Sequence, residues 1–359
     1  MEKIFDTVEE ALAAIAAGEV IIVADDENRE NECDLVMSGE KATPEKINLM
    51  IQYARGLICA PNTEPALRRL GIFPMVPVNT ESYRTAFTVS VDAAEGITTG
   101  ISAYDRARTI NLLSSDKSVP ADLVQPGHIF PLTAKPGGVL QRAGHTEATV
   151  DLTLLAGLHP GGVCCEITND DGTMARLPDG VEFAKRFGLK MVSVAQLIEY
   201  RYRRERLIKL EAEMPFESEF GQFTVRVFRS VVDGKRHVAL SCGNVSDGRP
   251  VLVRVHRENM FGDVFRGKAF GKPGMLPAAF EMIAREGRGI VLYMANSERI
   301  LPEAPSAEPP ANLDQRDFGI GAQILAELGA NQIRLITNNP KKVVGLNAFG
   351  LRILEQIPV

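Results

Sequence analysis

Apolar and polar positions in the first part of the chain follow helical and extended patterns in turn. Thr7 and Glu10 have the spacing of a capping box ahead of an Ala/Leu/Ile run, and Gly18 is placed to end that helix. The continuous apolar run of residues 20–24 predicts a buried strand. This strand leads directly into the charged segment 25–34, and such a loop is a favourable place for chemistry because the scaffold holds it still.

Further helices and strands are predicted in the rest of the first half. Caps and apolar spacing predict helices over residues 44–56, 146–157 and 193–209. Residues 87–101 alternate loosely between apolar and polar side chains, which favours strands, and Pro126-Gly127-His128 predicts a loop. The basic run within 199–209 is interpreted as a solvated helix face or a connector between domains rather than as a nucleic-acid site.

The second half has its own extended patterns. Strand-like runs occupy residues 223–228, 251–255, 290–294 and 333–337. Residues 302–312 are rich in Pro and Ala and lack periodicity, which predicts a loop or a mobile segment. The pattern predicts α/β or α+β architecture in both halves, with one domain over residues 1–205 and a second over residues 206–359.

Composition supports two folded domains and narrows the classes of partner. A chain of 359 residues exceeds the size at which one hydrophobic core usually keeps growing. A hydrophobic fraction of 45% with 24% charged residues is typical of globular proteins and excludes disorder as the main state. The net charge of −6 gives no broad attraction to nucleic acid or to an anionic membrane surface.

The cysteines and the N-terminus indicate the compartment. The five cysteines are scattered and form no CxxC pair, which argues against a disulfide framework and against a thiolate zinc site. The N-terminus has no pattern of a secretory signal, and the longest apolar runs are too short to span a bilayer. We therefore expect a cytoplasmic protein that binds no membrane.

Four polar clusters lie where loops or element ends are predicted. They occupy residues 29–34, 126–128, 142–147 and 166–172. Each cluster alone is weak evidence, since an acidic loop is usually solvated surface and a single histidine is more often structural than a ligand. Together they supply the groups that sugar-phosphate chemistry needs.

Each cluster has a chemical role open to it. The segment 142–146 precedes a helix, where free backbone N–H groups and the positive end of the helix dipole can receive a phosphate. Glu30 and His145 together can hold a divalent cation, and ligands without thiolate suit magnesium or manganese better than structural zinc. His128 and Glu166, on separate segments, are available as a general acid and base.

Five motifs, in order, resemble the signatures of the 3,4-dihydroxy-2-butanone 4-phosphate synthases of riboflavin biosynthesis. They are DDENRENECDLV, TTGISAYDR, PGHIFPL, RAGHTEAT and CEITNDDGTMAR. The resemblance covers roughly residues 5–200. It implies a homodimeric lyase that converts D-ribulose 5-phosphate to L-3,4-dihydroxybutan-2-one 4-phosphate and formate, with magnesium or manganese.

The same resemblance implies a role for individual residues. Glu30 and His145 would bind the metal, while His128 and Glu166 would be essential for turnover. Asp34 would bind substrate, and from its chemistry it could also act in proton transfer, a choice that the sequence leaves open. The substrate-binding set implied by the motifs is Arg29, Glu30, Asp34, Arg142, Ala143, Gly144, His145, Thr146 and Glu166.

Two cysteines bear on this site. The family usually has Gly where this chain has Cys33, so a side chain there could crowd the loop or strain a backbone that needed a positive φ. We expect a functional site with a possible change in rate or oxidation sensitivity. Cys59 lies where relatives also tend to carry Cys, and a buried small hydrophobe explains it at least as well as a catalytic role.

The second half resembles GTP cyclohydrolase II. The matching stretches are VLVRVHRENMFGDVF, EGRGIVLYM, DQRDFGIGAQIL and RLITNNPKKVVGL. The three zinc-binding cysteines of that family correspond here to Asn259, Phe270 and Lys272, and the family's QEGR segment is replaced at 295–300. We therefore expect no zinc and no GTP hydrolysis. Arg316 and Asp317 could serve a ligand, although a helix cap and a surface ion pair explain them equally well.

The role of this second domain has several candidates, and one alternative concerns the whole chain. The domain could be a dimerisation or stability scaffold, a regulatory nucleotide-binding module or a docking surface for another enzyme. The alternative for the chain is a non-enzymatic regulatory or scaffold protein of the riboflavin pathway. A relic would lose costly polar residues as readily as the second half has lost its cysteines. The first half has kept Arg29, Glu30, Asp34, His128, His145 and Glu166.

Overall fold

A computed structural model describes residues 4–27, 29–267, 274–295, 315–338 and 351–359, with the side chains of 315–318 left out. The chain divides into two compact units, Met1–Tyr200 and Arg201–Val359. The domain boundary expected between residues 205 and 206 stays a prediction. Both units are built on mixed sheets flanked by helices, as the sequence predicts.

The first unit is a seven-stranded sheet with strand order β4-β5-β3-β6-β2-β1-β7. Strands β1 and β7 pair in parallel, as do β3 and β5, and the remaining neighbours are antiparallel. Its elements are α1 (Val8–Ala17), β1 (Ile21–Ala24), β2 (Cys33–Ser38), α2 (Pro44–Leu49), β3 (Cys59–Thr63), α3 (Glu64–Arg69), β4 (Val91–Ala93), α4 (Ala103–Leu113), β5 (Leu123–Ala134), α5 (His145–Leu155), β6 (Gly162–Glu166), α6 (Leu177–Phe187), β7 (Lys190–Ser193) and α7 (Val194–Arg204).

Several predicted elements of this unit are confirmed. The capping box of Thr7 and Glu10 is formed, and Gly18 ends α1 in the left-handed conformation. Ile21–Ala24 is a fully buried strand. Helix α5 is the central helix of the unit, because nine successive residues from His145 to Thr153 are buried. It contacts β2, β3, β5 and β6, so its N-terminus is held rigidly beside the sheet.

Other expectations were wrong in detail. Pro126-Gly127-His128 lies within β5 rather than in a loop between strands. The helix expected to close at Gly56 ends through a turn of π-helix at Arg55, which takes the left-handed conformation itself. Of the strands expected over 87–101, β4 covers only Val91–Ala93, with isolated bridges at Phe87 and Thr88. The helix expected to run to residue 209 ends at Arg204.

The second unit is also a seven-stranded sheet, with strand order β14-β13-β11-β12-β10-β9-β8. Its inner strands β11, β12 and β13 are parallel, and β8, β9 and β10 form an antiparallel extension. Its elements are β8 (Ile208–Ser218), β9 (Gly221–Ser230), β10 (Arg236–Cys242), β11 (Val251–Arg257), α8 (Met260–Asp263), α9 (Met275–Glu286), β12 (Gly289–Met294), α10 (Gln315–Glu327), β13 (Gln332–Ile336) and β14 (Arg352–Ile357).

The core of the second unit lies between α9 and the sheet. Ala279 and Ile283 of α9 are fully buried against Leu252, Val291 and Phe223. The four predicted strands of this half are present as β9, β11, β12 and β13, whereas the predicted loop at 302–312 lies outside the described residues. No described helix in either unit combines the length and apolar character needed to cross a bilayer.

Candidate active site of the first unit

The acidic loop between β1 and β2 is organised by Asp25, whose side chain is completely buried. Its Oδ1 accepts the backbone N–H of Glu32 at 2.9 Å, and its Oδ2 accepts that of Glu30 at 3.3 Å. The guanidinium of Arg29 donates to Oδ2 at 2.8 Å. The loop is therefore fixed from within, although the sequence motif gave Asp25 no separate role.

Carboxylates surround one imidazole at the end of this loop. His145 is the first residue of α5, and its Nδ1 lies 3.7 Å from Glu30 Oε2 and 3.6 Å from Asp34 Oδ1. Its Nε2 faces the carbonyl oxygen of Val23 at 3.2 Å, which favours a proton on Nε2 and leaves the Nδ1 lone pair towards the carboxylates. Within the described ranges, the one group of three possible metal ligands is Asp25, Glu30 and His145, with ligand atoms within 4.8 Å of one another.

The electrostatics of this cluster call for a cation. Burial lowers the pKa of His145, but the nearby charge of Asp34 and a contact with Glu30 outweigh burial and raise that pKa overall. Burial also acts on Glu30, yet His145 and Arg29 hold its pKa down at about 2. Asp34 Oδ1 is buried and has no hydrogen-bond partner among the described residues. An uncompensated acceptor beside a second carboxylate and an imidazole fits an oxygen- and nitrogen-liganded divalent ion.

The N-terminus of α5 is a candidate anion-binding site. Gly144 caps the helix without a side-chain hydrogen bond, so no capping side chain occupies its first turn. A Cβ on Gly144 would lie 2.6 Å from Arg142 Nη1 and 3.0 Å from Arg29 Nη2, which shows that both guanidinium groups converge there. Ala143 precedes this cap, and Thr146 is buried in the first turn. The buried carboxylate of Glu147 lies at the same place and accepts from Arg142 Nη1 at 2.7 Å, which holds that guanidinium at the helix end. Two cations at a helix N-terminus are suited to a phosphate.

Tyr83 contacts both Arg29 and Arg142, and the sequence analysis did not predict a role for it. Its hydroxyl donates to the carbonyl of Arg29 at 3.0 Å, and the Arg29 guanidinium lies 5.4 Å from its ring centroid. Its own carbonyl accepts from Arg142 Nη2 at 3.2 Å. These partners are 54 and 59 residues away in sequence, so no local spacing indicates the contact.

Glu166 lies at the end of β6, directly opposite Asp34 of β2 in the strand register. Its Oε2 accepts the backbone N–H of Leu57 at 2.9 Å. A Cβ on Gly56 would lie 2.3 Å from the Glu166 carbonyl oxygen and 2.7 Å from Oε2. Gly56 is thus required for close approach to Glu166 rather than for ending a helix.

His128 stands apart from this group. It belongs to β5, and in the sheet order β3 and β6 separate β5 from β2. Its Nδ1 lies 2.6 Å from Asp92 Oδ2, and among the described residues no hydrogen bond or ion pair joins it to Glu30 or His145. The structure therefore brings the residues predicted to bind metal and phosphate together in one place. His128 lies in a second place.

Cys33 is accommodated without strain. It lies in β2, is not among the residues with positive φ, and is completely buried against Gly180 of α6. Burial raises the pKa of its thiol to about 12, which disfavours the reactive thiolate and opposes the expected oxidation sensitivity. Cys59 is also buried, opposite Cys164 of β6, consistent with a packing role.

The second unit uses Asn259 structurally. Its side-chain Oδ1 accepts the backbone N–H of Gly262 at 3.0 Å and so caps α8. Its own backbone N–H donates to Asp263, whose carboxylate also contacts His256 at 2.9 Å and Tyr293 at 3.0 Å. The other two positions of the expected cysteines, the replaced segment 296–300 and the side chains of Arg316 and Asp317 lie outside the described residues.

Comparison with family models divides the chain in two. Residues 9–200 match the model of 3,4-dihydroxy-2-butanone 4-phosphate synthase, and residues 209–358 match that of GTP cyclohydrolase II. The riboflavin biosynthesis protein RibBA of Aquifex aeolicus (strain VF5) is 48% identical over 378 residues, covering 99% of this chain and 92% of the relative. RibBA of Bacillus cereus (strain ATCC 14579) is 48% identical over 372 residues, covering 99% and 94%.

Solved structures agree with this division. RibBX from A. baumannii, described as a two-domain 3,4-dihydroxy-2-butanone 4-phosphate synthase, is 37% identical with a TM-score of 0.85 and covers 99% of both chains. A synthase crystallised with two magnesium ions is 40% identical with a TM-score of 0.55, covering 56% of this chain and 98% of its own. The chain therefore belongs to the 3,4-dihydroxy-2-butanone 4-phosphate synthase family, and its second half carries a domain of the GTP cyclohydrolase II family.

Proposed function

We propose that the first unit converts D-ribulose 5-phosphate to L-3,4-dihydroxybutan-2-one 4-phosphate and formate, with residues 1–205 as the synthase domain. The observation that carries this proposal is the convergence of Arg29 and Arg142 on the N-terminus of α5, whose first residue, His145, belongs to the carboxylate cluster. One helix end thus presents a phosphate site and a metal site side by side. A non-enzymatic relic has no reason to keep a buried Asp34 oxygen that no hydrogen bond satisfies.

Magnesium or manganese is the proposed cofactor, held by Glu30 and His145. Asp25 lies within reach, but its two oxygens are already occupied by the loop backbone and by Arg29, which favours a supporting role. The bound ion would stabilise negative charge that develops on substrate oxygens. The synthase crystallised with two magnesium ions supports this choice of metal.

Substrate orientation follows from the helix end. The phosphate binds the segment Arg142–Thr146 and Arg29, which leaves the sugar carbons to extend towards Glu30 and Asp34. Tyr83 keeps both arginines in place through one side-chain and one backbone contact. Because the ends of the substrate are fixed, the carbons that react are held against the acidic groups.

Proton transfer is assigned to Asp34, Glu166 and His128. Burial raises the pKa of Asp34 well above the ordinary value, so this carboxyl can carry a proton near neutral pH. Glu166 faces it across the strand pair and is held by the Leu57 N–H. The reaction removes a proton beside a ketone, expels water and releases formate, so groups that alternate as acid and base are required.

A homodimer is proposed from the resemblance and from exposed apolar side chains. Large apolar side chains are exposed in the first unit, among them Val78 at 73% and Tyr104 at 70%. Val124 of β5 is also exposed, and it is the register partner of Asp92. The same surface on a second copy of the chain would cover these exposed apolar side chains.

The same resemblance supports a cytoplasmic location.

The second domain, over residues 206–359, is proposed not to hydrolyse GTP. Asn259 stands in place of the first zinc-binding cysteine, and its side chain is committed to capping α8. We propose a scaffold role rather than a regulatory nucleotide site for this domain, whose described strands form a seven-stranded sheet packed against α9.

Formate release from two substrates tests both parts of this proposal. The purified chain is offered D-ribulose 5-phosphate or GTP with magnesium, alongside Glu166→Ala. Formate from the sugar phosphate that disappears in the variant, with none from GTP, is the expected result. Formate from GTP together with bound zinc would overturn the second part, and no formate from ribulose phosphate would overturn the first.

A further inference from the structure

Asp92 makes two contacts with His128. Its Oδ1 accepts the backbone N–H of His128 at 2.9 Å, and its Oδ2 lies 2.6 Å from the ring Nδ1. The carboxylate is buried, whereas 43% of the His128 side chain is exposed. The ring is therefore held on its Nδ1 side and open on the other.

The strand pair is irregular in a way that produces this contact. Consecutive residues of β4, Val91 and Asp92, pair with Ile129 and Val124 of β5, so residues 125–128 bulge out of the ladder. A Cβ on Gly127 would lie 2.1 Å from the Val91 carbonyl carbon. Glycine thus lets the β4 backbone approach closely enough for the carboxylate of Asp92 to reach the imidazole.

The loop before α4 closes the opposite side of the pair. Gly100 has φ +96°, and a Cβ there would lie 2.1 Å from Asp92 Oδ2 and 2.6 Å from His128 Nδ1. Asp105 holds this loop, because its carboxylate accepts the N–H of Gly100 at 3.1 Å and both the N–H and hydroxyl of Thr98, at 3.1 and 2.7 Å. The motif TTGISAYDR thereby packs a glycine against the pair rather than contacting the metal cluster.

We propose that Asp92 is a positioning residue that fixes the tautomer and orientation of His128. With Nδ1–H donated to Asp92, the neutral ring carries its lone pair on Nε2, and the described residues supply no partner for that nitrogen. Asp105 supports this arrangement by holding Gly100, which packs against Asp92. This inference rests on the proposed role of His128 in turnover.

Kinetics of Asp92→Asn test the proposal, with Asp122→Asn as the matched control. Asp122 caps a short turn before β5 by accepting the N–H of Val119 at 2.8 Å and does not contact His128. We expect kcat of Asp92→Asn to fall by roughly 10²-fold, since positioned acid–base catalysis contributes about 10²–10⁴-fold, while KM changes little. Adding Asp92→Asn to His128→Gln should cost nothing further, because the two residues act as one unit.

A spectroscopic measurement separates this inference from the proposed role of His128. In the ¹⁵N-histidine-labelled protein, a ring N–H proton shifted to low field and absent from His128→Gln would report the bond to Asp92. Its absence from the wild type overturns the proposal, even if Asp92→Asn fails to fold. Wild-type kcat in Asp92→Asn, or an added loss on top of His128→Gln, also overturns it. If His128→Gln were fully active while the wild type showed the low-field proton, the catalytic role of His128 would be refuted. The positioning of His128 by Asp92 would still hold.

Discussion

Cys33 of β2 and Gly180 of α6 share one small space in the core of the first unit. A Cβ on Gly180 would lie 2.6 Å from the Cys33 Sγ and 3.2 Å from the Cε of Met191. The thiol therefore fills the volume that the glycine leaves free. A side chain that was expected to disturb the acidic loop is instead absorbed by the packing of the helix behind it.

We predict that Gly180→Ala destabilises the protein by about 1–3 kcal/mol, because the added methyl overpacks the core. Cys33→Ala should relieve much of this cost in the double variant, giving a coupling energy of about 1–2 kcal/mol in a double-mutant cycle. Urea unfolding followed by circular dichroism measures all four proteins. Additive effects of the two changes would show that the residues do not compete for the same space.

Gly144→Ala should weaken phosphate binding more than it affects stability. The new methyl meets the ends of two flexible arginine side chains, which can move away and so lose their convergence on the helix end. Loss of one charge-assisted hydrogen bond, about 1.5–3 kcal/mol, predicts a rise in KM for ribulose 5-phosphate of about 10- to 100-fold. Gly321→Ala is the control, since its methyl would meet only Leu292 and Met294 at 3.5 Å or more. Unchanged KM in Gly144→Ala would contradict the assignment of the phosphate site.

Tyr83 should contribute to kcat/KM through Arg29 and Arg142. Tyr83→Phe removes the hydrogen bond to the Arg29 carbonyl, worth about 1 kcal/mol, and should lower kcat/KM about fivefold. Tyr83→Ala also removes the ring beneath the guanidinium and should lower it further, by about another 0.5–1 kcal/mol. Tyr53→Phe is the control, since the ring of Tyr53 packs at a tilt against Phe187 and away from both arginines' contacts with Tyr83. Equal activity of Tyr83→Ala and wild type would exclude a role for this contact.

Metal removal should abolish formate release, and Glu30→Gln should weaken metal binding. Losing a carboxylate from the cluster is expected to raise the dissociation constant for Mn²⁺ at least about tenfold. Electron paramagnetic resonance of free Mn²⁺ measures this directly, without reference to turnover. Glu27→Gln, an exposed carboxylate of the same loop, provides the comparison. A similar dissociation constant for Glu30→Gln and Glu27→Gln would remove Glu30 from the ligand set.

The second unit should lose stability in mild acid because of His237. This ring is buried in β10, its Nδ1 accepts the backbone N–H of Ala295 at 3.1 Å, and burial lowers its pKa. Since the unfolded chain takes up the proton at about pH 6.5, the stabilisation is complete above that pH and declines as pH falls towards the folded pKa. Hydrogen exchange of β10 and β12 against pH should show this decline. His237→Gln should have a flatter profile, and an identical slope would assign the acid sensitivity elsewhere.

The parts of the site that lie close together in sequence were predictable from it. The sequence of Arg142–Thr146 predicts a helix start with Arg142 beside it. Glu30 lies in a charged loop that follows a predicted buried strand. Asp25 lies in the same loop, but a sequence cannot show which of several adjacent carboxylates turns inward. Tyr83 and Asp92 were missed because their partners come from distant segments, and tertiary packing alone brings them together.

The error at Pro126-Gly127-His128 has a related cause. Proline and glycine were interpreted as loop residues, whereas the chain uses them in a bulge that stays within β5. The sequence correctly indicated an irregular backbone at this point. Whether that irregularity lies in a loop or within a strand depended on the pairing of β5 with β4. Fold class required less information, because long apolar runs and caps are properties of short segments.

Burial along helix α5 limits how this enzyme can change shape. Nine successive residues from His145 onward are buried, so the helix end to which we assign the substrate phosphate cannot fray or swing without loosening the whole first unit. Adjustment during turnover must therefore come from the segments that lie over it, such as the one carrying Tyr83. The binding pocket should therefore persist as long as the first unit stays folded. Heat should inactivate the lyase only at the temperature at which that unit unfolds.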